Sequence, residues 1–442
     1  MTVSSSPVSS SPDSTAPPPT PDPRQPLRGG RLGHGKAFWL IAFVYMINLA
    51  FTAVPAPLWT VYQQQDGFST FMITVVFAAY SVGVIISLFL VGHISDWHGR
   101  RRILLIGVLT EAVSALLALA STSLPVLLVT RLVVGFGIGM VTATATAFLI
   151  ELHHRARPGD SRARADIVAT AANIGGLAVG PLIGGLLAEY VARPLQVPYL
   201  IFLGLLLLGS VGVVMSPETV APPERRTPYR PQRVSVPHAA RPRFFAASAA
   251  TFAAFAAFGL FTSLGPGFIA GTLHHPSRSL AGLSAFMVFG AAALAQTALP
   301  GWSLHKLLSR GLVLMPLGLI AVTTGVWQAD LTLFLGGGVV TGAGAGLLFK
   351  GSVSTVLGLA VHGSRSETLA GLFLSAYAGL SLPVLGVGVA TRFVAAEVAL
   401  IGFTALLLLL CAAGSRRLLR PERITPDAVP AAEVRVQGRT EL

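Results

Sequence analysis

The sequence predicts an all-α membrane protein of about twelve transmembrane helices, arranged as two pseudo-symmetric six-helix bundles. Three observations carry that prediction. Of 442 residues, 53% are hydrophobic and 11% charged, and the mean hydropathy is +0.70, more apolar surface than a water-soluble domain could hide. The apolar residues fall into runs of about the 20 residues that a helix needs to cross a hydrocarbon core about 30 Å thick. The basic residues gather in alternate connections between those runs.

In chain order the runs cover residues 37–59, 70–92, 103–121, 124–150, 167–190 and 197–215, then 244–270, 280–300, 311–328, 331–357, 369–391 and 395–415. They are too long for barrel strands and lack a two-residue alternation. Helices satisfy every backbone group in lipid, so each run reads as one helical crossing.

A net charge of +13 would suggest nucleic acid in a soluble protein. Here 26 of the 31 Lys and Arg fall on one side of the expected membrane, leaving Arg193, Arg278 and Arg392 in the other connections. By the positive-inside rule the arginine-rich side is cytoplasmic, which places both termini there in a multi-pass protein of the cell membrane. Residues 1–36, rich in Ser, Pro and Thr, read as a disordered cytoplasmic tail, and 416–442 as a second tail. Cys411 is the one cysteine, so no intramolecular disulfide forms.

The long break between runs, 216–243, is rich in Pro and Arg and separates bundle 37–215 from bundle 244–415. The halves echo each other in Gly135, Gly137 and Gly139 of the fourth run and Gly342, Gly344 and Gly346 of the tenth. An internal duplication explains the match, and so does close helix packing alone.

The connection after the second run reads Gly92, three residues, Asp96, two residues, Gly99, then Arg100, Arg101 and Arg102. Glycine allows a tight turn, Asp96 can face the positive end of a helix, and the arginines can bind carboxylates or lipid phosphates. This pattern resembles the signature loop of the major facilitator superfamily. The resemblance implies two six-helix bundles that rock about a central site, and a gating role for Gly92, Asp96, Gly99, Arg100 and Arg101 as a cytoplasmic latch. The matching loop of the second half, from Gly301 to Arg310, has His305 in place of the Asp and lacks the inner Gly.

Two further stretches look like motifs of the same superfamily. Arg131 precedes the glycine-rich part of the fourth run, about 10 Å inside its outer end at 1.5 Å per residue. A charge at that depth faces protein or a water-filled cavity, unless its side chain snorkels to the headgroups. In the fifth run, Gly176, Gly180, Pro181, Gly184 and Gly185 resemble the family's antiporter motif, which implies export in exchange for protons. The same residues also suit an ordinary glycine-packed helix.

Glu111 is the acidic residue expected near the middle of a membrane run. Burial favours the neutral form of a carboxyl and a nearby Arg favours the charged form, a balance that a change of conformation can tip to load and release a proton, so Glu111 and Arg131, within side-chain reach of each other, are expected as a proton-coupling pair. A purely structural ion pair is the alternative. The expected substrate cavity draws on Tyr45, Asn48 and Thr52 at helical spacing with Trp59, on Phe255, Phe258 and Phe261, and on Gln296, Lys350 and Tyr377. Lys350 could instead reach the headgroups.

The histidines lie in loops or at helix ends without acidic partners, and no nucleophile motif or phosphate-binding loop occurs. A transporter without cofactor or metal is expected rather than an enzyme: proton-coupled efflux of small amphipathic compounds by alternating access, with uptake of a nutrient by symport as the other transport reading. Its partners would be the small-molecule substrate, protons and membrane lipids, with no nucleic acid, and the protein would act as a monomer.

Overall fold

The computed structural model describes residues 32–91, 94–220, 230–299, 301–360 and 365–419. Gly92 and Arg225 lie outside them, as do most of the two expected tails. Among the described residues, twelve helices are long and apolar enough to cross a membrane: α1 (His34–Asp66), α2 (Thr70–Val91), α3 (Arg100–Ala120), α4 (Leu124–Ala156), α5 (Ala163–Tyr190), α6 (Val197–Met215), α7 (His238–Ala270), α8 (Arg278–Thr297), α9 (Leu304–Trp327), α10 (Leu331–Leu359), α11 (Arg365–Ala390) and α12 (Ala396–Leu419). No strand occurs among the described residues. The predicted runs match these helices, several of which extend past the apolar stretch into polar turns. Large side chains such as Leu208, Leu294 and Leu409 point outward, as lipid contact requires.

The glycine runs of α4 and α10 show how the two halves repeat. A side chain at Gly135 would run into the Tyr80 carbonyl and one at Gly139 into Ser87, both on α2, whereas Gly137 faces Glu111 on α3. In the second half Gly342 faces Val288 and Gly346 faces Ala292, both on α8, whereas Gly344 faces Met315 on α9. Each run thus packs its outer two glycines on one neighbour and its middle glycine on another, in the same order. Close packing is realised in both halves, because the absence of side chains lets backbones approach closely.

One end of the molecule carries the arginine-rich connections, and we call it the basic face. There Gly99 has φ +93°, a conformation that side chains rarely adopt, and a Cβ would lie 2.5 Å from Glu218 Oε2. The tight turn lets the Glu218 carboxylate accept the backbone N–H groups of Arg100 (2.9 Å) and Arg101 (3.1 Å), capping α3. The Arg100 guanidinium donates to Glu151 (3.0 Å) and Ser95 (2.7 Å), so it is tied to its own bundle. The capping carboxylate belongs to Glu218, 118 residues away from Arg100, a partner that local spacing did not reveal. Asp96 sits in the helical turn Ser95–His98, and its side chain lies outside the described residues.

Between the halves, the segment after residue 229 runs between the feet of α2 and α11. Gln232 donates from its backbone to the Phe89 carbonyl and from its side chain to that of Ser366, both at 2.9 Å.

Candidate functional site

A cavity of about 300 Å³ lies between the bundles. It reaches the basic face, where Asp166 is exposed, and runs inward to Trp59 and Thr262. One wall comes from α1, where Tyr45, Leu49, Thr52, Ala53 and Ala56 form a single stripe at helical spacing. Facing it are rings of the second bundle: Phe258 stacks on Phe289 with centroids 4.8 Å apart, and Phe255 meets Phe349 at 5.1 Å.

The opposite end is closed by contacts across the bundles. In α1 a 3₁₀ turn at Ala56–Leu58, preceded by Pro55, interrupts the helix, and in α7 a π-helical turn occupies Leu260–Leu264. These two departures from α geometry meet, since Trp59 Nε1 donates to the Thr262 carbonyl at 3.0 Å.

Further out, α5 and α8 exchange their terminal groups. The Glu189 carboxylate accepts the backbone N–H groups of Arg278 (2.6 Å) and Ser279 (3.3 Å), while the Arg278 guanidinium donates to the Ala188 carbonyl (2.8 Å). An anion at the N-terminus of α8 and a cation at the C-terminus of α5 both complement the helix dipoles.

The antiporter-like stretch belongs to this closure. Gly176, Gly180 and Gly184 recur every four residues and face Met46, Ala50 and Val54 of α1. Gly185 faces Arg278 and Gly282 of α8, and the Pro181 carbonyl faces Gly282. The stretch therefore packs one helix face inside its own bundle and turns Pro181 and Gly185 across the gap to the other.

Among the expected cavity residues, Tyr45, Thr52, Trp59, Phe255, Phe258, Gln296 and Tyr377 line the space. Asn48 does not. It lies about 80–90° around α1 from the centre of the lining stripe, and its Nδ2 donates to Val44 O (2.7 Å) within the helix. Lys350 is also outside the lining: its Nζ donates to the Gln296 carbonyl at 2.5 Å, bridging α10 to α8. Phe261 packs on Phe334 at 5.5 Å instead.

The expected ion pair between Glu111 and Arg131 does not form in this conformation. Glu111 is fully buried between α3 and α4, its Cγ against Gly137, and neither carboxyl oxygen has a hydrogen-bond partner. The Arg131 guanidinium turns the other way, donating to the Thr52 carbonyl (3.1 Å) and lying 4.9 Å from the Tyr80 ring and 5.9 Å from the Trp59 ring. Glu111 packs on α4 at Gly137, six residues along that helix and about 120° around it from Arg131.

Several lining residues were not anticipated. Asn173 donates to the Tyr45 hydroxyl, which Thr146 also approaches at 3.4 Å, joining α1, α4 and α5 in one polar node. Their signal lay in the sequence as polar positions at helical spacing, Thr142 with Thr146 and Asp166 with Thr170 and Asn173. No group of three or more metal-ligating side chains occurs among the described residues.

Comparison with known proteins accords with this architecture. An uncharacterized MFS-type transporter of Methanocaldococcus jannaschii is 24% identical over 168 residues, 38% of this chain and 42% of that protein. The arabinose-proton symporter of Bacillus subtilis is 31% identical over 83 residues, 19% of this chain and 18% of that protein. The matches thus span less than half the length of either curated relative. The crystal structure of the human organic anion transporter MFSD10 superposes with a TM-score of 0.65 at 17% identity, covering 88% of this chain and 100% of that one. The profile of the Major Facilitator Superfamily matches residues 38–321, from α1 into α9. Twelve helices in two repeated halves around a closed-ended cavity, together with a match over more than half the chain, make this protein a member of the Major Facilitator Superfamily.

Proposed function

We propose that the chain is a proton-coupled exporter of small amphipathic compounds that works by alternating access in the cell membrane, with both termini cytoplasmic. The observation that carries this reading is the cavity between the bundles, walled by aromatic rings and polar side chains, reaching the basic face and sealed at the other. By the positive-inside rule the basic face is cytoplasmic, so this conformation receives solute from inside. Rocking the bundles to part α5 from α8 would release it on the far side.

Glu111 is the proposed proton carrier. In this conformation it has apolar surroundings and no partner, a setting suited to a carboxylic acid and costly for an isolated charge. Arg131, on the neighbouring helix of the same bundle, is the basic group proposed to meet it in the alternate state. The latch formed by Asp96, Gly99 and Arg100 is proposed to engage the second bundle only in the alternate state. Export is preferred over uptake because the antiporter-like stretch forms both the α1 contact and the seal against α8. The protein is proposed to act as a monomer in contact with lipid.

The experiment is a counterflow screen in liposomes, with and without an imposed pH gradient. Export predicts that amphipathic compounds exchange, that the gradient drives net flux, and that Glu111→Gln keeps exchange while losing the drive. A gradient-driven flux that survives Glu111→Gln removes Glu111 from coupling. Uptake by symport is the second reading, favoured by the similarity to the arabinose-proton symporter. Accumulation of labelled solute inside cells down the proton gradient would establish it.

A further inference from the structure

Among the described residues two charged side chains line the cavity, and they differ in how their charge is met. Asp166, at the exposed mouth, is paired with Arg162 at 3.2 Å. Arg131, at the closed end, is 5% exposed and has no carboxylate within ion-pair distance among the described residues. Its Nη1 is held by the Thr52 carbonyl, and its Nε finds no acceptor. The ring faces of Tyr80 and Trp59 meet part of the charge. Glu111, the carboxyl that could have neutralised it, faces Gly137 instead. The deep part of the cavity is therefore positive.

The second bundle lines the same cavity with rings, Phe258 stacked on Phe289 and Phe255 against Phe349. A space of about 300 Å³ suits a one- or two-ring molecule. An anion entering it gains the attraction of a guanidinium that lacks a counter-charge, and its body covers the rings. A neutral analogue gains only the second contribution, and a cation is repelled.

We propose that the cavity selects amphipathic organic anions, an apolar or aromatic body bearing one carboxylate, and that Arg131 is the residue that recognises the anionic group. This rests on the cavity being the transport site proposed above.

Binding of tritiated 2-naphthoate to the purified full chain in detergent tests it, with 2-naphthalenemethanol and 2-naphthylmethylamine as competitors. The acid is expected to bind more tightly than the alcohol and the amine by about 30-fold or more, the cost of leaving one partner of a buried charge pair unmet. Arg131→Gln should lose a similar factor and Arg131→Lys most of it should keep. Equal binding of the alcohol or the amine overturns the proposal, as does unchanged binding in Arg131→Gln.

Should Arg131→Gln fail to fold, location is read from the wild-type chain, whose tryptophan fluorescence bound naphthoate should quench through Trp59. Quenching that persists undiminished in Trp59→Phe places the ligand elsewhere and refutes the site. Charge-selective binding without counterflow would keep the anion site and remove the transport reading. Counterflow without preference for the acid would do the reverse.

Discussion

Replacing Gly185 with alanine should change which end of this transporter is open. A Cβ there would lie 2.5 Å from the Arg278 carbonyl oxygen and 3.1 Å from Gly282 Cα, both backbone atoms of the other bundle. An ordinary contact begins at 3.4 Å, so α5 and α8 must part by about 0.9 Å. Overpacking of this kind costs about 1–3 kcal/mol, and the cost falls only on the conformation in which these helices touch. At about 1.4 kcal/mol per tenfold, the closed end should lose population by about 5- to 150-fold relative to the alternate state.

Gly180→Ala is the matched control. Its Cβ would meet the Ala50 carbonyl inside the same bundle, so it should lower stability in both conformations and leave their ratio alone. Spin labels at Tyr190 and Phe393, 79% and 80% exposed at the closed end, report the separation of the bundles once the buried Cys411 is replaced by alanine. The expected result is a shift to longer distances in Gly185→Ala and none in Gly180→Ala. An unchanged distribution in Gly185→Ala, or the same shift in both, would refute the assignment of Gly185 to the seal.

Four further outcomes follow from named contacts. Glu189→Ala removes the acceptor for two backbone amides at the start of α8, so it should favour opening of the same end by about 0.5–2 kcal/mol, read with the same labels. Glu397→Ala, whose carboxylate meets Thr272 within the second bundle, should leave the distances alone, and a shift there would count against the argument. Glu218→Ala uncaps α3 and should cost about 1–2 kcal/mol in thermal unfolding in detergent, with an unchanged melting temperature as the contrary result. Glu111→Met removes two buried oxygens that lack partners, so it should raise stability by about 1–3 kcal/mol while abolishing gradient-driven flux; a destabilised but still coupled protein would contradict both roles.

Much of the architecture is written locally in the chain. Length and apolarity place the twelve crossings, because each helix meets its own backbone needs and lipid supplies the solvent for its outer face. The glycines of α4, α5 and α10 announce close helix contacts, and Tyr45, Thr52 and Trp59 announce a polar face on α1, since both signals repeat with the helical period.

What tertiary structure alone decides is which distant group each of these faces meets. Arg131 is recognisably buried from its position, yet its turn toward Thr52, Tyr80 and Trp59, away from Glu111, depends on how α1, α2 and α4 are rotated against one another. Glu218 reaches Arg100 across 118 residues, and Trp59 reaches Thr262 across 203. The period of a helix tells which residues share a face, but the direction of that face is set by packing among helices far apart in the chain. Sequence by itself therefore determined the membrane-spanning bundles and the inventory of charges they bury, and the three-dimensional packing decided which charges are paired, which lack a counter-charge, and which end of the cavity is shut.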